Sequence, residues 1–358
     1  MTAIDDFQDR VRQAAASGGR LRIRGGGTKD WYGGAPVGSI LDTRAHAGIV
    51  DYEPTELVIT ARCGTPLAEI EALLAAHGQM LAFEPPHFGA GATLGGTIAA
   101  GLSGPRRATA GAARDFVLGA RLLDGRGDVL SFGGRVMKNV AGYDVSRMLA
   151  GSLGTLGLLL DVSVKVLPRP FAETTLRFAL GEIDAIRQLN AWGGQPLPLS
   201  GSAWHDGVLA LRLSGAEAAV AAAVRTLGGE AMPDAAAFWA NLREQRHAFF
   251  LDAGEGALWR LSVPPTTGAL VLGGAQLIEW GGAQRWLRAG SDAASAQAIR
   301  RTAQACGGHA TLFRGGDKTV GVFHPLAPAV ARIHARLQDA FDPARIYNPG
   351  RLVPEGLA

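Results

Sequence analysis

The sequence predicts an α+β protein. In some segments apolar and polar residues alternate, as in strands, and in others apolar residues recur at helical spacing. The two kinds of segment follow one another in mixed order along the chain. The 358 residues can form two or three domains with their own cores. A hydrophobic content of 47% with 19% charged residues is typical of globular proteins. Fifty glycines without a Gly-X-Y period indicate many tight turns and exclude collagen.

The first region begins with a predicted amphipathic helix over 4–17, where Phe7 and Val11 share one side. A second helix is predicted from Pro66 through Ala76, because apolar residues recur at helical spacing and Gly78 follows its end. The small-residue and proline-rich segment 84–111 is predicted to be a binding loop. Strands are predicted at 21–24, 39–42, 57–61, 80–83, 115–123, 128–132 and 156–167.

The pair Pro168 and Pro170 marks a predicted domain boundary. Beyond it, the mixed order of elements predicts a sheet with helices on one face. Helices are predicted at 182–191, 215–227, 235–247, 293–306 and 327–340, and strands at 173–179, 207–213, 257–263, 269–272, 276–280, 284–288 and 309–313. We therefore predict domains at 1–170 and 171–325, with a C-terminal segment at 326–358 that returns to the first domain.

Composition excludes several classes of function. The net charge is only +3 and the arginines are scattered, so the footprint of a nucleic-acid-binding protein is missing. Two cysteines, Cys63 and Cys306, are too few for a disulfide framework, a cysteine zinc site or an iron–sulfur cluster. The first residues lack the apolar stretch of a signal peptide and no run is long enough to span a bilayer, so we expect a cytoplasmic protein.

Familiar nucleotide and hydrolase motifs are also missing. Gly89-Ala90-Gly91 lacks the third glycine of a Rossmann fingerprint, since Leu94 stands at that position. Gly316-Asp317-Lys318-Thr319 is not a complete P-loop, and neither a serine elbow nor a His-Glu-x-x-His motif occurs. The eight histidines do not pair at metal-ligand spacing, so no metal site is predicted.

Two glycine-rich segments are the most informative motifs. Arg24-Gly25-Gly26-Gly27-Thr28-Lys29 follows a predicted strand, and Thr93-Leu94-Gly95-Gly96-Thr97 comes about seventy residues later. Adjacent glycines leave backbone N–H groups free to converge on an anion such as a diphosphate. Two such nests suggest a long cofactor such as a flavin dinucleotide. Lys29 or Arg24 would add a cationic contact. The alternative for the glycine segments is that they are tight turns without a ligand. The alternative for the two cations is that they are charges exposed beside a turn.

The order of these motifs resembles the FAD-binding domain of the vanillyl-alcohol oxidase (PCMH-type) superfamily. The resemblance continues through 151–157 and ends at Phe341-Asp342-Pro343 and Asn348-Pro349-Gly350-Arg351. A narrower resemblance links the chain to the E-type, FAD-binding subunits of bacterial glycolate oxidase. It rests on four further segments, which are 101–107, 114–119, 136–144 and 308–314.

The resemblance implies a PCMH-type FAD-binding domain of two α+β subdomains, followed by an α+β cap domain of the FAD-linked oxidase type. It also implies that FAD is non-covalent, because Thr28 stands where covalent members often carry histidine. Four polar residues have two interpretations: they form a polar turn, or they contact the flavin or an interface. These residues are Lys138, Asn139, Tyr143 and Asp144. The implied FAD-binding residues are Arg24, Gly25, Gly26, Gly27, Thr28, Lys29, Pro85, Thr93, Leu94, Gly95, Gly96, Thr97, Gly101, Ser103, Gly111, Asp115, Gly154, Leu156, Gly157, Asn348 and Arg351.

The implied activity is that of an FAD-dependent oxidoreductase acting on a CH–OH group, which oxidises glycolate, a small 2-hydroxy acid, to glyoxylate. The implied partners are a D-type flavoprotein subunit and an iron–sulfur subunit, with peripheral docking of the complex at the inner face of the cytoplasmic membrane. Hydride abstraction needs a base and a carboxylate clamp, for which the candidates are His309, Arg314 and His324.

The chain lacks the His-rich HGDGN-like stretch of related D-2-hydroxy-acid dehydrogenases. Two alternatives to a glycolate-oxidising subunit therefore stay open. One is a non-catalytic scaffold subunit of the same complex. The other is a stand-alone FAD oxidoreductase for another hydroxy acid or alcohol.

Overall fold

The computed structural model describes residues 2–134, 143–251 and 256–354. Its helices are α1 (Ala3–Ser17), α2 (Leu67–Ala76), α3 (Leu94–Ala100), α4 (Arg107–Ala110), α5 (Ala113–Phe116), α6 (Val145–Met148), α7 (Glu182–Gly193), α8 (Glu217–Leu227), α9 (Ala235–Arg243), α10 (Ala248–Leu251), α11 (Ala293–Ala305) and α12 (Pro328–Phe341).

The strands of the first half are β1 (Leu21–Arg24), β2 (Ser39–Asp42), β3 (Ile49–Glu53), β4 (Val58–Arg62), β5 (Gln79–Met80), β6 (Val117–Leu123), β7 (Val129–Gly133), β8 (Leu158–Lys165) and β9 (Leu167–Pro168). Those of the second half are β10 (Ala172–Ala179), β11 (Leu199–His205), β12 (Val208–Gly215), β13 (Glu230–Ala231), β14 (Ala257–Ser262), β15 (Gln276–Glu279), β16 (Gln284–Ala289) and β17 (His309–Arg314).

The chain forms two compact units that do not follow one another simply along the sequence. The first unit combines 1–102, 112–168 and 325–358, and the second combines 103–111 with 169–324. The short segment 103–111, which contains α4, therefore belongs with the second unit although it lies between two parts of the first.

The first unit is built on a five-stranded antiparallel sheet in the order β3-β4-β8-β6-β7. Its central strand β8 is buried from Leu158 to Val164, as expected for a strand covered on both faces. A separate parallel pair joins β1 to β2. Helix α1 buries Phe7, Val11 and Ala14 and is closed by a capping box at Thr2.

The second unit is built on an eight-stranded antiparallel sheet in the order β13-β10-β12-β11-β15-β16-β14-β17. Helices α7 and α8 pack on its first half, where Leu189 and Val220 meet the leucines of β12. Helix α11 packs on its second half, where Ile299 meets Trp259. The α+β class predicted from the sequence is confirmed.

Several elements differ from the sequence prediction. Strands β3 and β11 were missed, because β3 lies at a sheet edge with little burial and β11 is rich in small polar residues. The predicted strand 269–272 does not form. Leu270 is buried and Val271 is 98% exposed, and Leu272 N–H donates a hydrogen bond to the carbonyl of Leu270. The predicted loop 84–111 contains helices α3 and α4. The predicted helix 235–247 stops at Arg243, and Gln245 has a φ of 54°.

Within the described ranges, no helix has the length and the apolar character that crossing a bilayer requires.

The half-buried His247 of the second unit gives a prediction about pH. Burial, with a smaller contribution from His205, lowers the pKa of His247 below its ordinary value. The unfolded chain therefore binds a proton more readily than the folded one, and stability is lost as pH falls through the ordinary histidine pKa of about 6.5. We expect urea unfolding to show a smaller free energy of unfolding at about pH 5.5 than at about pH 7.5. His247→Asn should weaken that dependence; an unchanged pH profile would contradict this assignment.

Candidate functional site

A cleft in the first unit brings both glycine-rich segments together. Its volume is about 830 Å³ counted out to open solvent. Its lining comes from five parts of the chain that are far apart in sequence. The lining residues are Arg22, Ile23, Arg24, Gly25, Gly26, Gly27, Thr28, Lys29, Asp30, Pro36, Thr43, Cys63, Thr93, Gly95, Gly96, Ala99, Ala100, Leu153, Gly154, Gly157, Leu158, Leu159, Asn348 and Arg351.

The first glycine segment leaves strand β1 and turns inside this cleft. Gly27 has a φ of 72°, and its carbonyl accepts a hydrogen bond from Asp30 N–H at 3.1 Å. Within the described part of the chain, the amides of 25–28 donate no hydrogen bond to another residue. These amides are therefore open to an anion, as a backbone nest requires.

The two segments touch each other directly at glycines. A Cβ atom placed on Gly26 would lie 1.5 Å from the carbonyl oxygen of Gly91, and one on Gly25 would lie 2.3 Å from Oγ1 of Thr93. Neither distance is compatible with a side chain. The glycines of the first segment are thus required for its contact with the second segment, and not only for turning the chain.

The second segment uses its own amides differently from the sequence prediction. Leu94 N–H donates to Thr65 O, Gly95 N–H to Cys63 O and Thr97 N–H to Thr93 O, at 2.8–3.0 Å. Gly96 N–H reaches the capping Oγ1 of Thr93 at 3.3 Å. The expectation of free amides here is wrong, because this segment begins helix α3 and anchors it to the sheet. What it offers a ligand is the surface of Gly95 and Gly96, which carry no side chain, beside Thr93.

Charged groups give the cleft an excess of positive charge. Arg22 and Arg24 both donate to Oδ2 of Asp30, with Arg24 Nε at 2.8 Å. Arg351 is almost buried, and its guanidinium donates to the backbone carbonyls of Asp30 and Gly34 at 2.9 and 2.6 Å. Since the arginines outnumber the carboxylate that they contact, the cleft favours an anionic ligand.

Lys29 also lines the cleft, and its ammonium group is already engaged. Its Nζ donates to the carbonyl of His87 at 3.2 Å and lies 5.7 Å from the ring centre of Phe88. The charge of Lys29 adds to the field in the cleft while its position is fixed by the 87–88 turn.

Asn348 holds two walls of the cleft together. Its Oδ1 accepts from Ile23 N–H at 2.9 Å, and its Nδ2 donates to Leu153 O at 2.6 Å. Leu153 has a φ of 52°, a conformation that non-glycine residues rarely adopt. The side-chain amide of Asn348 is thus used inside the protein, where it fixes strand β1 against the 151–157 loop.

Cys63 faces the same cleft from the end of β4. Burial raises the pKa of its thiol to about 12, and its backbone carbonyl accepts from Gly95 N–H. The thiol is therefore protonated at physiological pH. A protonated thiol is a poor nucleophile.

The structure places the predicted FAD-binding residues in three groups. Pro85, Leu94, Thr97, Gly101, Asp115 and Leu156 belong to the first unit but do not line the cleft, and Asp115 caps the amide of Ala112 instead. Ser103 and Gly111 belong to the second unit. The cleft is lined by Arg24, Gly25, Gly26, Gly27, Thr28, Lys29, Thr93, Gly95, Gly96, Gly154, Gly157, Asn348 and Arg351.

Sequence reasoning missed other cleft residues. Arg22 carried a signal, because it alternates with Arg24 on strand β1 and so points to the same side. Asp30 and Cys63 carried none, since a single carboxylate or thiol next to a turn is common.

The three catalytic candidates, His309, Arg314 and His324, belong to the second unit. The imidazole of His324 lies 3.4 Å from the amide of Ala310, and His309 is exposed. Their predicted roles stay predictions. Lys138 and Asn139 lie outside the described residues, while Asp144 caps the short helix α6.

Three comparisons with known proteins agree with this architecture. A family model described as an FAD binding domain matches residues 1–133. The chain is 49% identical to glycolate oxidase subunit GlcE of Escherichia coli K12, over 97% of this chain and 96% of that protein. It is 32% identical to glycolate oxidase subunit GlcD of Bacillus subtilis 168, over only 46% of this chain and 35% of that protein.

A solved structure of alkyldihydroxyacetonephosphate synthase has the same fold. It superposes with a TM-score of 0.65 at 16% identity, covering 96% of this chain and 73% of the other. This likeness concerns the fold alone, and it confirms an FAD-binding domain followed by an α+β domain with a large antiparallel sheet.

Proposed function

Because this chain belongs to the glycolate oxidase subunit GlcE family of FAD-binding proteins, we propose that it is the FAD-binding subunit of a glycolate oxidase complex. The complex would oxidise glycolate to glyoxylate. Its partners would be a GlcD-type flavoprotein subunit and an iron–sulfur subunit that takes the electrons onward. A cytoplasmic location, with docking at the inner face of the membrane, stays a prediction.

The observation that carries the proposal is the cleft itself, which fits the diphosphate of FAD. Its first glycine segment has amides at 25–28 that donate to no described residue, and its second segment lines the cleft through Gly95 and Gly96 beside Thr93. Arg22, Arg24 and Arg351 supply positive charge around one carboxylate. Amides and guanidinium groups are the donors that a diphosphate prefers.

We propose that FAD is held without a covalent bond. Thr28 cannot be alkylated as a histidine can, and no histidine is among the described residues that line the cleft. Cys63 is the thiol in the lining, and its raised pKa keeps it protonated. The attachment would therefore rest on backbone amides, arginines and shape.

When bound, FAD supplies the two-electron acceptor that alcohol oxidation needs. The residues of this chain would bind and orient the cofactor. In the first unit, Asn348 would keep the cleft walls in place and Asp30 would keep two arginines aimed into it. For the base and the carboxylate clamp, the candidates in this chain remain His309, Arg314 and His324, and the partner subunit is the alternative source.

Flavin analysis of the purified chain tests this proposal. We expect about one FAD per chain, released into the supernatant when the protein is precipitated with acid. Protein that stays yellow after precipitation would contradict non-covalent binding. Folded protein that contains no flavin and takes none up would contradict FAD binding itself.

Anaerobic addition of glycolate then separates the remaining possibilities. Bleaching of the isolated chain would show that it catalyses the oxidation alone. Bleaching that requires the GlcD-type subunit would assign the chemistry to the complex. A complex in which this chain stays oxidised while its partner is reduced and passes electrons on would support the scaffold alternative.

A further inference from the structure

A second cleft of the first unit lies beside helix α12 and shares no lining residue with the cleft described above. It measures about 960 Å³ out to open solvent and runs between α12, the 148–156 segment and the C-terminal residues 350–353. Most of its lining is apolar, including Met148, Leu156, Leu326 and Leu337. Its polar contribution comes from side chains such as Ser152, Thr155, His334 and Gln338.

Helix α12 has an apolar side that remains exposed in the described part of the chain. Fourteen residues long, roughly 21 Å, it buries no side chain completely. Val330 is 41% exposed and Ile333 is 56% exposed, and with Leu337 they follow the 0, 3, 7 spacing of one helix face. Since Leu337 also lines the cleft, this exposed row forms the rim of the cleft. We call the row and the cleft together the α12 groove.

Positive charge lies beside the exposed row of α12, on the side of the row away from the cleft. Arg332 and Arg336 are exposed and sit one turn apart on α12, beside Ile333. The acidic residue of the helix, Asp339, is already paired with Arg345 at 2.6 Å. An apolar row bordered by unneutralised arginines suits a partner with apolar side chains bordered by carboxylates.

We propose that the α12 groove receives an amphipathic helix of a partner subunit, with aliphatic side chains toward Ile333 and Leu337 and acidic side chains toward Arg332 and Arg336. This inference rests on the proposed function, because it takes the chain to be one subunit of a complex. A groove between a helix and a loop is a concave surface. Such a surface fits an inserted helix better than it fits a flat lipid surface.

The test measures binding of the purified chain to the GlcD-type subunit of the same organism. The double variant Val330→Glu/Ile333→Glu places two carboxylates in the contact and should raise the Kd at least a hundredfold. Arg332→Glu/Arg336→Glu should also weaken the complex, and its remaining binding should depend less on salt. The matched control is Ile183→Glu, which changes an exposed isoleucine of helix α7 in the second unit and should leave the Kd unchanged.

Flavin content and thermal unfolding of each variant are measured in the same preparations. All should match the unmodified chain, because the changed side chains are exposed. Loss of flavin together with loss of partner would assign α12 a structural role and overturn the proposal. So would a double variant that binds the partner normally, although the proposed function would then stand. If the unmodified chain binds FAD but never binds the GlcD-type subunit, the proposed complex fails as well.

Other occupants of the α12 groove give different results. Self-association of the unmodified chain that the double variant abolishes would assign the groove to a second copy. Binding to phosphatidylserine vesicles that the double variant abolishes would assign it to a membrane. A tenfold change in the Kd for the GlcD-type subunit after deletion of residues 355–358 would assign the groove to the end of this chain. Each of these results would overturn the partner-helix proposal.

Discussion

Gly26→Ala should remove FAD binding while the protein remains folded. The added Cβ would lie 1.5 Å from the carbonyl oxygen of Gly91, and backbone on both sides leaves no flexible side chain to move aside. The two glycine segments must then separate, and the amides of 25–28 lose their common target. We expect the FAD affinity to fall by roughly a hundredfold or more, which corresponds to about 2.7 kcal/mol. Titration of the flavin-free variant and of the flavin-free unmodified protein with FAD measures this loss of affinity.

A matched control for this variant is Gly193→Ala. A Cβ on Gly193 meets no atom within 4 Å, and the residue ends helix α7 in the second unit. Alanine favours a helix over glycine by up to about 1 kcal/mol, so the control should be neutral or slightly stabilising. Normal FAD affinity in Gly26→Ala would show that the contact between the glycine segments is not needed for the cofactor.

Asn348→Ala should be the most destabilising single change near the cleft. It leaves the amide of Ile23 and the carbonyl of Leu153 without their partner, and each lost partner costs about 1–3 kcal/mol when buried. Asn348 also has a φ of 42°, which alanine adopts at a cost of about 1–2 kcal/mol. We expect the free energy of unfolding to fall by about 3–5 kcal/mol in urea titrations, with weaker FAD binding.

Asn190→Ala removes the same side-chain amide at a more solvent-exposed site. The Asn190 amide donates to Ile186 O and Pro265 O, the second at an exposed site, so water can replace it. Its loss should cost less than about 1 kcal/mol. Equal losses for the two variants would mean that the bonds of Asn348 to β1 and the 151–157 loop contribute nothing special.

The open amides of the first glycine segment could be predicted from the sequence because the signal is local. Three adjacent glycines after strand β1 indicate a turn with accessible amides, whatever the rest of the chain does. The second segment was harder, because the partners of its amides, Thr65 O and Cys63 O, lie about thirty residues away. Whether an amide is free is a property of the tertiary structure and not of its own neighbours.

The same reasoning explains why Asp30 and the function of Asn348 were missed. Asn348 was predicted near the flavin from a family resemblance, yet its side chain bonds to Ile23, more than three hundred residues earlier. The placement of 103–111 in the second unit also left no trace in composition. Long-range pairings of this kind follow from packing, which single-sequence patterns do not encode.

The way strand β1 is completed has a consequence for biosynthesis. Leu21 N–H donates to Ile346 O, and Asn348 N–H donates to Leu21 O, so the N-terminal strand is finished by residues near the end of the chain. A ribosome makes the N-terminal part first, and β1 must wait for almost the whole polypeptide before its last neighbours exist. We therefore expect cofactor loading to follow synthesis of almost the whole chain, so that nascent chains interrupted before residue 346 emerge colourless.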